Sequence, residues 1–143
     1  IGVKECGGNE RIDYYEKKGI ACWSGNDDEC YVGRHEFGSH GVISVTSNVV
    51  PSLMRTLMDT QNSELNDRLQ NVMKWLFCEP NPIAINTTLM MTGAVERNFR
   101  LPYLALTLEQ RQQGFDYLAQ FEISELVGDK LALLNDSDFN YCS

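Results

Sequence analysis

The sequence predicts an α/β fold in which short parallel strands alternate with helices and then give way to a helical region. Three segments, at residues 1–6, 20–24 and 42–45, are nearly continuous apolar runs without polar alternation. Runs of this kind are typical of parallel strands that are covered on both faces. Polar segments with helical spacing lie between these runs, and the pattern after residue 50 is helical throughout.

The first 60 residues are predicted to hold three strand–helix units. Helices are expected around residues 11–18 and 28–37, and Gly19 and Gly38 stand where their C-terminal caps would be. The unit repeats about every 20 residues, which is short but sufficient for a β-α repeat. Three strands cannot close a barrel, and a doubly wound sheet would not usually give way to so many helices. The pattern therefore favours the last three β-α units of a (β/α)8 barrel, followed by a C-terminal helical region.

The residues after 50 are predicted to form a series of amphipathic helices. Pro51 suits the first position of a helix, Pro82 begins another that Gly93 closes, and Thr107 opens a third with a capping box. A helix over residues 63–77 is expected to bury one face. That face carries apolar residues at steps of four, three and four, namely Leu65, Leu69, Val72 and Leu76.

These elements divide the chain into three parts. Residues 1–60 are expected to be a partial barrel with its strands six to eight and their helices, and residues 61–126 a C-terminal helical region. Residues 127–143 are expected to be a loose, solvated tail, because their polar segment at 135–138 is rich in Asn and Asp.

Composition and charge exclude several classes of partner and site. The 143 residues carry a net charge of −8, which argues against binding nucleic acid or an anionic membrane, since both require clustered Lys and Arg. No run approaches the roughly 18 apolar residues of a membrane span. The five cysteines are widely spaced, without a C-x-x-C pair, and only two histidines accompany them. We therefore expect no metal site and a reducing compartment.

Lys4 is the strongest candidate for chemistry. Alternation along the first strand places it on the face opposite Val3 and Glu5, just before a glycine loop. The carboxyl ends of parallel strands form the site face of such folds. A lysine that is poorly solvated there favours its neutral amine, which can form an imine with a carbonyl substrate. The alternative is a strand-end lysine whose ammonium reaches water.

Four motifs, in order along the chain, resemble those of the dihydrodipicolinate synthase family. They are IGVKE at residues 1–5, SGNDD at 24–28, GVISVTSN at 41–48 and EPNPI at 79–83. Further features resemble the plant members of the family in particular. They are Trp23, FRLPY at 99–103, VGDK at 127–130 and DSDF at 136–139. Each motif is weak alone, but together they span almost the whole chain.

The resemblance implies a pyruvate-dependent class I lyase that condenses pyruvate with L-aspartate 4-semialdehyde in lysine biosynthesis. It implies that Lys4, on the sixth barrel strand, forms the Schiff base and that Ile43, on the eighth, contributes its backbone carbonyl to the pyruvate pocket. Gly25 and Asn26 look like pocket wall. Their alternative interpretation is a turn in which Asp27 or Asp28 caps the next helix.

The resemblance also implies a homotetramer without a cofactor, located in the chloroplast if the source is a plant and otherwise in the cytoplasm. The family's proton relay, its arginine for the second substrate and its lysine feedback site precede the Schiff-base lysine, and the chain opens on Ile1. We therefore expect a C-terminal portion of the enzyme.

Two alternatives remain open. The first is a sister pyruvate aldolase, of the N-acetylneuraminate lyase or keto-deoxy sugar-acid aldolase type, because these share the lysine and the barrel. SGNDD and EPNPI favour the synthase over these enzymes. The second is an inactive truncation that acts only by packing its helices against a partner.

Overall fold

The computed structural model describes residues 1–142 and has the predicted α/β character. Strand β1 covers Gly2–Glu5, and strand β2 covers Ala21–Ser24. The two strands pair in parallel, with Lys4 opposite Trp23. Helix α1, Asn9–Glu16, connects them, and helix α2, Cys30–His35, follows β2. Helix α1 has the expected length but begins two residues before the predicted 11–18, and α2 is shorter than the predicted 28–37.

The third predicted strand, at residues 42–45, does not form. In the described part of the chain, only a single parallel bridge, between Ser24 and Val42, continues the sheet. Ser24 donates its N–H to the carbonyl of Gly41 at 2.9 Å and accepts the N–H of Ile43 at 2.8 Å. The chain then turns into a 3₁₀ helix at Thr46–Asn48. The prediction of a full strand was wrong because the N–H groups of Val45 and Thr46 bind the carboxylate of Asp27 instead of a neighbouring strand.

The helical second half agrees closely with the prediction. Its helices are α3 at Pro51–Asp59, α4 at Ser63–Trp75, α5 at Ile83–Met91 and α6 at Leu108–Leu118. Pro51 begins α3, and the Thr107–Gln110 capping box is formed on both sides. The expected buried face of α4 is buried at all four positions, Leu65, Leu69, Val72 and Leu76.

One main core joins the β-α units to the helices. It extends from Cys30 through α3 and α4 to Leu126, so it crosses the proposed boundary at residues 60 and 61. The two sides are also linked by the N–H of Val127, which donates to the carbonyl of Val49 at 2.7 Å. No helix among residues 1–142 is long and apolar enough to cross a lipid bilayer.

Helices α4 and α6 lie close together because one position has no side chain. A Cβ built on Gly114 would overlap the ring of Trp75. The Trp75 indole N–H donates to the carbonyl of Gln110 at 2.9 Å, so the buried ring keeps a partner for its one polar group. Gly114 therefore sets the distance between the two helices.

The tail at residues 127–142 is packed, and the expectation of a loose segment was wrong. Strand β4, Asn140–Cys142, pairs in parallel with strand β3, Asn98–Arg100. Leu134 and Phe139 enter a second core beside Phe99. The polar composition of the tail predicted a solvated segment, but the burial of these two apolar residues stabilises its ordered conformation.

A buried arginine holds this tail in place. The guanidinium of Arg111 donates to the carbonyl of Leu106 at 2.8 Å and to the carboxylate of Asp136. It also lies over the ring of Phe139, with its central carbon 5.0 Å from the ring centroid. Arg111 is 1% exposed, whereas the side chain of Asp136 is 85% exposed. The arginine is therefore the buried member of the pair and depends on these partners.

Substitution of this arginine is expected to destabilise the fold. Arg111→Met should lower the free energy of unfolding by about 2 kcal/mol, because the buried Leu106 carbonyl loses its charged donor, whereas Asp136 is already exposed to water. Arg55→Met is the matched control, since Arg55 is exposed and, within residues 1–142, pairs only with Asp59 on the same helix. It should change stability by less than about 0.5 kcal/mol. Urea unfolding of both variants measures the difference, and equal values would contradict the assignment.

Stability should also depend on pH through Glu125. Its carboxylate accepts two hydrogen bonds from Arg68, at 3.0 and 2.6 Å. These bonds lower the pKa of Glu125 below its ordinary value. A carboxyl whose pKa is lowered in the folded state stabilises the fold above its unfolded pKa and loses that contribution as the pH falls through the folded value.

Glu125→Gln should therefore be less stable than the native chain at pH 7. The difference should shrink as the pH falls below the ordinary glutamate pKa of about 4.3 and vanish once Glu125 is protonated. Unfolding curves for both proteins between pH 7 and pH 2 test this expectation. A difference that stays constant over that range would contradict it.

Candidate functional site

Lys4 lies near the carboxyl end of β1, on the face opposite Val3 and Glu5. Glu5 is buried and faces α1, where its carboxylate accepts the Arg11 Nε–H at 3.0 Å. The Lys4 side chain is exposed, so the expected poor solvation is wrong for residues 1–142. The reason is that the helices cover only the Glu5 face of the strand, and no described element covers the other face.

Gly25 lies directly beneath the Lys4 side chain. A Cβ built on Gly25 would overlap Cys6 Sγ and come within 2.6 Å of Lys4 Cε. The N–H of Gly25 donates to the carbonyl of Glu5 at 2.8 Å, which ties the start of this loop to the end of β1. The structure therefore brings Lys4 and Gly25 together, and the space Lys4 occupies is available only because position 25 has no side chain.

Asn26 connects the loops that follow β1 and β2. Its side-chain amide donates to the carbonyl of Cys6 at 3.2 Å and to Glu29 Oε2 at 3.1 Å. Its backbone N–H donates to Ser24 Oγ at 3.2 Å. These contacts hold the Asn26 side chain between the loop after Lys4 and the start of α2. The Asn26 side chain is therefore fixed by hydrogen bonds next to Gly25.

Ile43 lies next to these residues because it pairs with Ser24. Its N–H is bound by the Ser24 carbonyl, immediately before Gly25 in the sequence. The residue as a whole is 51% exposed. Within residues 1–142 its own carbonyl accepts no hydrogen bond. Lys4, Gly25, Asn26 and Ile43 thus lie along one edge, formed where β1, β2 and the segment after Gly41 end.

The alternative interpretation of this loop expected Asp27 or Asp28 to cap α2, but neither side chain does so. Helix α2 begins after Glu29, and its N-terminus receives no side-chain hydrogen bond. The Asp27 carboxylate is buried and turns towards the segment after Ile43, where it binds Val45 and Thr46. Sequence reasoning missed this role. The available signal was an acidic residue in one strand-end loop, paired with a Thr-rich and Ser-rich segment in the next.

The buried hydroxyl of Ser39 also supports this edge and was not predicted. It donates to the carbonyl of Gly41 at 2.7 Å and accepts the N–H of Ser24 at 3.3 Å. It therefore fixes the approach of the segment after Gly41 to β2. Nothing in the sequence distinguishes this serine from a surface serine.

The buried cysteines are poor candidates for nucleophiles. Burial raises the pKa of the Cys30 thiol to about 12, with the charges of Asp27 and Asp28 contributing. Burial also raises the pKa of Cys22, and the charge of Glu5 adds to the effect. Both thiols are therefore protonated at neutral pH. Across residues 1–142, no group of three His, Cys, Asp or Glu side chains is placed to hold a metal ion.

A cavity of about 350 Å³ lies away from this edge, between the segment after His40 and helix α3. Trp23, Val42 and Met54 contribute to its lining. His40 also lines it, accompanied by Glu16, whose carboxylate lies 3.1 Å from the imidazole Nδ1. None of Lys4, Gly25, Asn26 and Ile43 lines this cavity, so it is separate from the candidate site.

The chain is similar in sequence to chloroplastic enzymes. It is 51% identical over 140 residues to the chloroplastic 4-hydroxy-tetrahydrodipicolinate synthase of Zea mays. The aligned region covers 96% of this chain and 37% of that protein. It is 49% identical over 140 residues to the chloroplastic enzyme of Nicotiana tabacum, covering 96% and 39%. The chain thus spans about two fifths of the length of these relatives.

The fold resembles a solved synthase. The model matches the crystal structure of the chloride-inhibited dihydrodipicolinate synthase from Acinetobacter baumannii complexed with pyruvate, with a TM-score of 0.74 and 26% identity. The match covers 83% of this chain and 44% of that one. The model of the dihydrodipicolinate synthetase family matches residues 1–121. The chain belongs to the dihydrodipicolinate synthetase family.

Proposed function

We propose that this chain is part of a 4-hydroxy-tetrahydrodipicolinate synthase that uses Lys4 as its Schiff-base residue. The observation that carries the proposal is the contact of Lys4 with Gly25, at an edge where parallel strands end. Site residues of parallel α/β folds gather at this end of the strands. The names of the relatives from Zea mays and Nicotiana tabacum support the same assignment.

The proposed first step is covalent. The neutral amine of Lys4 attacks the ketone carbon of pyruvate, and a C–N bond forms while the carbonyl oxygen takes up a proton. Loss of water from this carbinolamine gives the iminium. The positive nitrogen then acts as an electron sink, so that a methyl proton can be removed and the resulting enamine can attack the aldehyde of L-aspartate 4-semialdehyde.

The backbone carbonyl of Ile43 suits this chemistry as an acceptor. The hydroxyl of the carbinolamine and the N–H of the iminium are both donors, and no described donor occupies this carbonyl. Gly25 leaves room for the Lys4 side chain, and Asn26 is held beside it as wall. In this mechanism the iminium supplies the electron sink, so we propose that no metal or organic cofactor takes part.

The proposed setting is the end of a (β/α)8 barrel. In it, residues 1–60 supply strands six to eight, residues 61–126 the helical region, and the exposed Lys4 face of β1 points to the barrel interior. Inward-facing side chains of such a barrel are covered by the other strands, which would give Lys4 the desolvation that favours a neutral amine. We further propose a homotetramer, and the chloroplast as its location by similarity to the plant relatives.

The covalent step can be tested by trapping. Incubation of the complete protein with pyruvate and borohydride should place a reduced adduct on Lys4, located by peptide mass mapping. Lys4→Arg should remove the adduct and lower kcat by roughly a thousandfold or more, because arginine cannot present a neutral amine and the covalent route is lost. Circular dichroism provides the control for folding. An adduct on Lys17, Lys18 or Lys74 would overturn the assignment.

The same protein distinguishes the synthase from its sister aldolases. Condensation of pyruvate with L-aspartate 4-semialdehyde is expected. Cleavage of N-acetylneuraminate or of a keto-deoxy sugar acid, with Lys4 still trapped by borohydride, would favour the sister enzymes. Absence of any pyruvate adduct in folded protein would favour a packing role alone.

A methyl group at position 25 should impair this chemistry more than the fold. In Gly25→Ala the new Cβ must displace the ends of the Lys4 and Cys6 side chains, which are flexible, so stability should change by less than about 1 kcal/mol. The displacement falls on the reacting amine, so the rate of borohydride trapping should fall by about tenfold to a hundredfold.

Gly7→Ala is the matched control for this variant. It lies in the neighbouring loop, after β1, and its Cβ would come within 2.8 Å of Arg11 Cδ and Glu5 Oε1, away from Lys4. This variant should therefore trap pyruvate at nearly the native rate. If both alanine variants lose trapping equally, the effect of position 25 is a general disturbance of the two loops.

A further inference from the structure

The carboxylate of Asp27 is a buried acceptor that joins two strand-end loops. Asp27 is 1% exposed. Its Oδ2 accepts the N–H of Val45 at 3.0 Å, the N–H of Thr46 at 2.7 Å and the hydroxyl of Thr46 at 2.6 Å. Three donors on one oxygen form a strong, directional contact, because hydrogen bonds to an ionised acceptor are stronger than those to a neutral one.

Together with a bond from Ser24, these bonds fix the backbone on both sides of the Ile43 carbonyl. On one side of it, the Ile43 N–H is held by the Ser24 carbonyl at 2.8 Å. On the other side, the next two amides after Ser44 are held by Asp27. Peptide units are planar, so fixing the amides on both sides of the Ile43–Ser44 peptide restricts the direction of the Ile43 carbonyl. A side chain three residues after Ser24 therefore sets the orientation of a backbone group on a different segment.

Burial of the Asp27 carboxylate carries a desolvation cost. The second carboxylate oxygen of Asp27, Oδ1, is buried and has no hydrogen-bond partner among residues 1–142. A buried carboxylate with one unsatisfied oxygen is costly, and an uncharged residue of similar size would avoid that cost. The charge is thus better explained by the three bonds that it makes to Val45 and Thr46 than by packing.

We infer that Asp27 is a positioning residue, which holds the Ile43 carbonyl in the direction that binds the pyruvate adduct. The inference rests on the proposed function, since it requires that this carbonyl faces pyruvate. Asp27 acts through the backbone of Val45 and Thr46 and does not itself touch the reacting atoms. Loss of its carboxylate should weaken the binding of pyruvate more than it weakens the fold.

The readout is the pyruvate concentration that gives half-maximal borohydride trapping on Lys4 in the complete protein. It reports pyruvate binding without the second substrate and without turnover. Asp27→Ala should raise this concentration by about tenfold or more, because all three bonds are lost. Asp27→Asn keeps the shape and one acceptor but loses the charge, and should raise it by about threefold to tenfold. Thr46→Val removes only the hydroxyl bond and should have the smallest effect.

Asp136→Asn is the matched control. It removes the charge of a different aspartate, on another part of the chain, which is paired with Arg111. A purely structural loss lowers the amount of protein that can be trapped at saturating pyruvate and leaves the half-saturating concentration unchanged. We expect Asp136→Asn to behave in this way and the Asp27 variants to shift the concentration itself.

Two results would overturn the inference. One is an unchanged half-saturating concentration in folded Asp27→Ala or, if that variant does not fold, in Asp27→Asn and Thr46→Val. The other is an equal shift in Asp136→Asn. Failure of the proposed Schiff-base role of Lys4 is recognised separately, because the native protein would then give no pyruvate adduct on Lys4 at all.

Discussion

The candidate site depends on the parallel pairing of β1 with β2. The register that sets Lys4 opposite Trp23 brings the ends of the two strands level, so that the loop after β2 begins beneath the lysine side chain. A shift of one residue would turn Lys4 to the face that α1 covers, because side chains alternate along a strand. Gly25, Asn26 and the segment that pairs with Ser24 all take their positions from this register.

The loops at this edge are then held to one another by polar side chains. Asn26 binds the loop after β1, and Asp27 binds the segment after Ile43. Ser39 supports the same segment from the other end of the bridge. Loops that carry function are usually more mobile than the elements they connect, and contacts between them are one way to keep a site in a fixed geometry.

Sequence reasoning found the elements whose signals are local. The steps of three and four in α4, the proline that begins α3 and the capping box of α6 are decided within a few residues, and the structure agrees with each. The choice of Lys4, Gly25, Asn26 and Ile43 came from strand ends and motif resemblance, and the structure places these residues on one edge. Their chemical roles remain proposals.

The errors have a different origin, since they depend on contacts between distant parts of the chain. The apolar run at residues 42–45 has the composition of a strand, but the Asp27 carboxylate draws Val45 and Thr46 away from the sheet. The acidic tail was expected to be loose, but Phe139 has Arg111 and Phe99 to pack against. The exposure of Lys4 likewise reflects which face of β1 the described helices cover, and no local pattern reports that.

The pairing of β3 with β4 has a consequence for the order in which the chain can fold. The paired residues Asn98 and Asn140 are separated by about 40 positions, so their contact closes a long loop, and the second core cannot be complete before both strands are available. The buried residues of the main core end at Leu126, with the half-buried Leu131 packed against them, so this core can close first. During synthesis, the helices of the main core therefore have time to pack before β4 arrives. Until then, Arg111 lacks Asp136 and the face of Phe99 is uncovered, so a chain stalled at this stage would present an apolar patch that chaperones and proteases can recognise.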